Sequence, residues 1–114
     1  MPTRTSSVEV ADVVVVGGGP SGLAAAEALR QRGAGTVVVV EREAVAGGVP
    51  RHSDHPGYGL RDLHRAMSGP AYARAWVARA TAAGADVRTS ASVTGWDDDL
   101  VVDVTSPGRR YRIR

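Results

Sequence analysis

The sequence predicts an α/β domain: parallel strands joined through a helix, closed by a small antiparallel meander. Three observations carry this prediction. Two uninterrupted valine runs, Val13–Val16 and Val37–Val40, flank an alanine-rich stretch with helical patterning. Such runs suit parallel strands covered on both faces, since a strand with one wet face alternates apolar and polar residues. Beyond residue 90 the chain changes to short segments separated by Asp97-Asp98-Asp99 and Ser106-Pro107-Gly108. Alternation between tight turns is a hairpin signal.

Composition narrows the class further. At 114 residues the chain holds one domain at most, with a modest core. Hydrophobic residues make up 43%, yet Phe is absent, so Ala and Val supply most of the core. All 14 basic residues are Arg and the net charge is only +2. Scattered arginines at so small a net charge argue against a nucleic-acid partner. The absence of Cys excludes a disulfide, a thiolate metal site and a redox dithiol within these residues. MPTRTSSVEV lacks the apolar segment of a secretory signal, and no apolar stretch has the length of a membrane span. The expectation is a cytoplasmic protein with no membrane partner.

In chain order, residues 1–9 are polar and expected to be a flexible N-terminus, with the domain proper over residues 10–114. The first strand is expected from Val10 to Val16. A helix starts near Pro20, where a missing N–H costs nothing, and runs to Arg32, with Gly33 as its C′ residue. The second strand is Thr36–Val40. Strand, helix and strand in about 30 residues make a right-handed βαβ unit. Residues 44–59 read as loop, punctuated by Gly47-Gly48, Pro50, Pro56 and Gly57. A short helix is expected through Leu60, Leu63 and Met67. A longer one, opened by Ser68-Gly69-Pro70, runs to about Ala83 with Tyr72, Trp76, Val77 and Ala80 on one face. Ala85–Thr89 is expected as a third parallel strand. Ser92–Trp96, Leu100–Thr105 and Arg110–Arg114 then form the meander, over about residues 91–114.

The chemistry lies in the turn between the first strand and helix. Gly17, Gly19 and Gly22 match G-x-G-x-x-G. The first glycine allows the tight turn, the second lets backbone approach a pyrophosphate, and the third lets helix and strand pack closely. Amides around Pro20 and Ser21 face the phosphates with the positive end of the helix dipole behind them. Ser21 adds either a hydroxyl donor or a capping oxygen. Glu41 ends the second strand about 20 residues past the glycines, where an acidic residue accepts hydrogen bonds from ribose hydroxyls. Its charge disfavours a 2′-phosphate, which places NADP below FAD or NAD, although Arg42 beside it is suited to phosphate. The motif, its strand, its helix and its spaced acid predict a Rossmann-like dinucleotide-binding domain.

With these residues in hand, the chain resembles the N-terminal FAD-binding segment of the two-dinucleotide-binding-domain flavoproteins, the glutathione-reductase-like superfamily. VVVVGGGPSGLAAAEALRQRG, VVVVERE and Gly47-Gly48 carry the resemblance, which is specific over residues 10–48 and looser over 49–114. It implies FAD, with Gly17, Gly19, Pro20, Ser21 and Gly22 at the pyrophosphate and Glu41 on the adenosine ribose. Arg42 and Gly48 would lie alongside the cofactor, and Val93 would offer backbone contacts to adenine. GGVPRHSDHPGYGLRDLHRAMSGPAYAR is similar to flavin subunits of amine, opine and related small-metabolite dehydrogenases. No dithiol follows Gly48, which departs from the disulfide reductases.

A second departure is that the family's next parallel strand and its NAD(P)H-binding domain have no counterpart before Arg114. An incomplete domain is expected, with Val13–Val16 left at an apolar edge. The isolated chain is then expected to bind FAD poorly and to turn nothing over. A partner chain completing the sheet is one alternative, making the protein a nucleotide-binding or assembly module. A fragment of an S-adenosylmethionine methyltransferase is another, disfavoured by Gly22 and by Gly47-Gly48.

Other signals have plainer readings. His52-Ser53-Asp54-His55 matches no structural zinc spacing, and polar loop packing is favoured. Arg51 and His52 are candidates to approach the flavin or its pyrophosphate, where Arg suits bidentate phosphate contacts. Tyr72 and Trp76 are expected in the core, Trp96 half-buried at a hairpin end, and Asp97–Asp99 as a solvated turn lacking a calcium-loop pattern. No catalytic acid or base and no metal ligand is assigned.

Overall fold

The structure, a computed structural model, describes residues 4–53 and 55–114, with residues 4–7 described through their backbone. Ten elements follow in order: β1 (Arg4–Glu9), β2 (Val13–Val16), α1 (Pro20–Gln31), β3 (Val37–Val40), a 3-10 turn (Val49–His52), α2 (Gly69–Ala82), β4 (Asp86–Arg88), β5 (Ser92–Trp96), β6 (Val102–Ser106) and β7 (Arg109–Ile113). They make two sheets. β2-β3-β4 is parallel throughout, with Val13 opposite Val37 and Val38 opposite Asp86. β1-β7-β6-β5 is mixed: β5, β6 and β7 are an antiparallel meander, and β1 adds to β7 in parallel.

The valine runs explain the layering. Side chains alternate across a strand, so Val37 and Val39 face one way and Val38 and Val40 the other. Val37 and Val39 join Leu23, Ala26, Trp76 and Ala80 in a core beneath the two helices. Val38 and Val40 join Ala91, Val104, Tyr111 and Ile113 in a second core beneath the meander. The parallel sheet is therefore the middle of three layers, and all four β3 valines are buried. Burying one such side chain contributes about 1.5–3 kcal/mol. β2 carries the same four residues but lies at the sheet edge, half-buried, with Val16 65% exposed.

Small residues let α1 lie close to the strands, as the sequence predicts. Leu23, Ala26 and Glu27 are its buried positions. Glu27 accepts a hydrogen bond from Arg79 Nε at 2.7 Å, tying α1 to α2. Ser68 caps α2 by accepting from the Ala71 N–H, with Pro70 in the first turn, and Trp76 and Ala80 point inward. Tyr72 meets Trp76 edge-on, with ring centroids 6.3 Å apart, so the expected core stripe is present.

Three local expectations are corrected. Where a flexible N-terminus is expected, Arg4–Glu9 is a strand, because the outer edge of β7 offers it a ladder; residues 1–3 lie outside the described residues. The following strand begins at Val13 and not at Val10, since Ala11 N–H donates to the Arg114 carbonyl while Asp12 turns to accept from Thr36 N–H at 2.7 Å. The chain crosses between sheets there. No helix forms around Leu60–Met67: Tyr58 and Met67 exchange two backbone hydrogen bonds, and the N–H groups of Leu63 and Arg65 both turn onto the Gly59 carbonyl. The intervening residues are consumed by that closed turn.

One ionic cluster joins the sheets. Arg88 on β4 pairs with Asp86 and with Glu9, both at 2.8 Å, and donates to the Tyr111 hydroxyl. Burial opposes its charge, but Asp86, Glu9 and Tyr111 outweigh that and raise its pKa above the ordinary arginine value. No helix of the described residues is long and apolar enough to cross a membrane.

Candidate dinucleotide-binding site

The glycine turn leaves β2 as Gly17, whose φ of +103° suits a residue without a side chain. Gly22 sits on the first turn of α1, where a Cβ would come within 2.1 Å of the Gly17 carbonyl oxygen and 3.2 Å of Val15. The close helix–strand approach predicted for the third glycine is thus a physical requirement. Gly19 is the N-cap of α1 and supplies no side-chain cap, with Pro20 in the first turn. The Leu23 N–H closes onto the Gly19 carbonyl, whereas those of Gly19, Ser21 and Gly22 find no acceptor among the described residues. Three free amides at the positive end of a helix form a cradle that fits a pyrophosphate. Ser21 is exposed and makes no capping bond.

Glu41 is buried and reaches back into this turn. One carboxylate oxygen accepts from Gly18 N–H at 2.9 Å, and the other from Glu43 N–H at 2.7 Å. Each oxygen keeps lone-pair capacity for a further donor. Gly18 is held from both sides, because its carbonyl accepts from Gly47 N–H at 2.8 Å. Gly48 then covers the turn: a Cβ there would lie 3.0 Å from the Gly19 Cα and 3.1 Å from Pro20, and its φ is +70°.

A cleft of about 310 Å³ opens at the carboxyl ends of β2 and β3. Gly17, Glu41, Arg42 and Val93 line it together with Ser92. Arg42 is exposed and only loosely paired with Glu43, at 4.0 Å. Glu41 and Val93, the two residues expected at the adenosine, thus line one cleft with Gly17 and Arg42, although they come from separate elements. Gly19, Pro20, Ser21, Gly22 and Gly48 gather beside the cleft, at the start of α1.

Sequence reasoning used Gly47 only as part of the family motif, and missed Gly18 and Ser92 as parts of this site. Gly18 occupies an x position of the motif, but a Cβ there would lie 3.0 Å from the Glu41 Cβ. A Cβ on Gly47 would meet Ala73 of α2 at 2.6 Å. The signal was present in the unbroken Gly17-Gly18-Gly19, one glycine more than the motif needs. Nothing local marked Ser92, which enters the cleft through the register of β5.

Residues 15–81, more than half of the chain, match the profile of the NAD(P)-binding Rossmann-like domain. The chain belongs to that family. No curated protein matches it significantly in sequence. Among solved structures, this Rossmann-like domain superposes on L-proline dehydrogenase from P. horikoshii with a TM-score of 0.79 and 23% identity, over 98% of this chain and 22% of that one. For a thioredoxin reductase from Gloeobacter violaceus the TM-score is 0.66 and the identity 27%, covering 92% and 34% of the two chains. A myxobacterial chondrochloren halogenase, one of the FAD-dependent halogenases, gives 0.67 and 17%, covering 93% and 36%. The chain thus spans between about a fifth and a third of these proteins' lengths. The dinucleotide-binding, Rossmann-like part of the resemblance is borne out.

Arg51 and His52 lie on the 3-10 turn, and Arg51 Nε donates to the Gly48 carbonyl at 3.2 Å. Neither lines the cleft at Glu41. His55 stacks on Tyr58 with centroids 5.0 Å apart, while Asp54 lies outside the described residues. Among the described residues no group of three His, Asp or Glu side chains could hold a metal ion.

Proposed function

We propose that this Rossmann-like domain is the FAD-binding part of a flavin-dependent oxidoreductase. The observation that carries the reading is the convergence of Gly17, Glu41, Arg42 and Val93 on one cleft beside three free helix amides. In this reading adenosine occupies the cleft, Glu41 accepts from its ribose, and the amides of Gly19, Ser21 and Gly22 hold the pyrophosphate. FAD supplies the redox chemistry when bound; these residues bind and orient it. A nicotinamide dinucleotide belongs to a second glycine motif outside these 114 residues. A small-metabolite amine- or opine-type substrate remains the favoured class, with L-proline dehydrogenase as a structural neighbour.

Calorimetric titration of the chain with FAD, ADP, NADP and S-adenosylmethionine tests this. FAD and ADP are expected to bind similarly and weakly, at roughly micromolar to millimolar dissociation constants, because the contacts lie on the ADP half. NADP is expected to bind less well, since its 2′-phosphate meets the Glu41 carboxylate. Binding of S-adenosylmethionine without ADP would sink the proposal. No turnover is expected from the isolated chain.

The free edge of β2 favours a second reading, in which a strand of a partner chain completes the sheet. Parallel ladders use alternate residues on each side, so the backbone groups of Val14 and Val16 face outward from β3. Co-purification with a chain that protects these amides from hydrogen exchange would support it; fast exchange at both in every complex isolated would refute it.

A further inference from the structure

Two pockets on the α2 side share Val45, Ala46 and Arg74 and so form one continuous groove. The larger, of about 520 Å³, is floored by Val77 and Val87. The smaller, of about 320 Å³, is flanked by Arg51 and His52. Both lie in the size range of small-molecule sites. None of their lining residues belongs to the Glu41 cleft.

The groove is polarised. No acidic side chain lines either pocket, whereas two guanidiniums and an imidazole surround one end. The Arg74 side chain forms no ion pair or hydrogen bond with any described residue. Arg51 uses only its Nε, toward the Gly48 carbonyl, so its two terminal nitrogens have no partner among the described residues. An unpaired guanidinium beside an apolar trough is complementary to a planar anion carried on an apolar body.

We propose that this groove binds an amphipathic carboxylic acid, with its carboxylate held by Arg51, His52 and Arg74 and its apolar body along Val45, Ala46, Val77 and Val87. Its lining shares no residue with the dinucleotide cleft. Its position against Gly47 and Ala73 puts its occupant on the outer side of the loop that covers the glycine turn.

The test uses anilinonaphthalene sulfonate, an apolar anion whose fluorescence reports binding, displaced in turn by decanoate, decanol and FAD. Decanoate is expected to displace the dye roughly tenfold more effectively than decanol, as a charge-assisted contact requires. Arg74→Glu should abolish that preference, while Arg32→Glu at the exposed end of α1 should preserve it. Equal displacement by decanol, or an unchanged preference in Arg74→Glu, overturns the proposal. So does displacement by FAD, which would make the groove part of the cofactor site. If Arg74→Glu loses its circular-dichroism melt, Arg74→Gln reads the same preference without reversing charge. FAD binding is read separately by calorimetry, so failure here is distinguishable from failure of the dinucleotide reading.

Discussion

Gly22 and Glu41 constrain the same turn in opposite ways, one through the space it leaves empty and the other through the bonds it makes. Gly22→Ala drives a methyl into the Gly17 carbonyl, and neither partner is a flexible side-chain end. It is expected to cost about 2 kcal/mol or more, read as a lowered denaturation midpoint, and to remove ADP binding. Glu41→Gln keeps the size but offers one acceptor where two backbone N–H groups now donate. A loss of about 1–3 kcal/mol is expected, together with weaker ADP binding. An unchanged midpoint would show that Glu41 does not clasp the turn. At this scale the sequence is highly legible for Gly17, Gly22 and Glu41, because backbone sterics and spacing act locally. Why Gly18 and Gly47 must be bare was not legible, since that constraint comes from Glu41 and Ala73, which are remote in sequence.

The elements depend on a few anchors. Trp76 carries α2 into the helical core with Ala80 beneath it, so Trp76→Ala should cost about 3–5 kcal/mol, measured by denaturant unfolding. Ser68→Ala removes the α2 cap, at about 1 kcal/mol. The β5–β6 turn is held by Asp97, which accepts from the N–H groups of Asp99 and Val101 and pairs with Arg112 at 2.9 Å. The bond from Val101 leads in lowering the Asp97 pKa below its ordinary 3.8; Asp99 and Arg112 reinforce it against desolvation. A depressed carboxylate pKa stabilises the fold above the unfolded value and loses that contribution as pH falls through the folded one. Acid melts should therefore weaken below pH 3.8, and Asp97→Asn should flatten that dependence; an unaltered acid limb would refute the role. Helix starts and the meander were readable from Pro, Ser and turn residues. The helix expected around Leu60–Met67 was not, because its period was short enough for a bridge between Tyr58 and Met67 to override it.

At the scale of the whole molecule, three layers share one thin parallel sheet, and its exposed margin is β2. Val16 is 65% exposed beside outward-facing backbone groups, a template for pairing with another chain. Concentration-dependent association is expected by light scattering, and Val16→Lys should suppress it while leaving the melt within about 0.5 kcal/mol of its original stability. Association that survives the substitution would place the contact elsewhere. The ionic cluster of Arg88, Glu9 and Asp86 binds the layers on the opposite margin.

The sequence by itself determined the strand–glycine–helix unit, the need for bare backbone at Gly17 and Gly22, and the acid at the end of the second strand. Each follows from sterics or spacing within a few dozen residues. The resemblance already implied Val13–Val16 as the edge, but only the tertiary structure showed how completely Val37–Val40 is buried. Val37–Val40 gained neighbours on both sides and both faces, and Val13–Val16 did not. Only the tertiary structure, too, made Arg4–Glu9 a strand, because its ladder is supplied by β7 from the far end of the chain. Pairing and burial are properties of what arrives alongside a segment, and no run of residues carries that information alone.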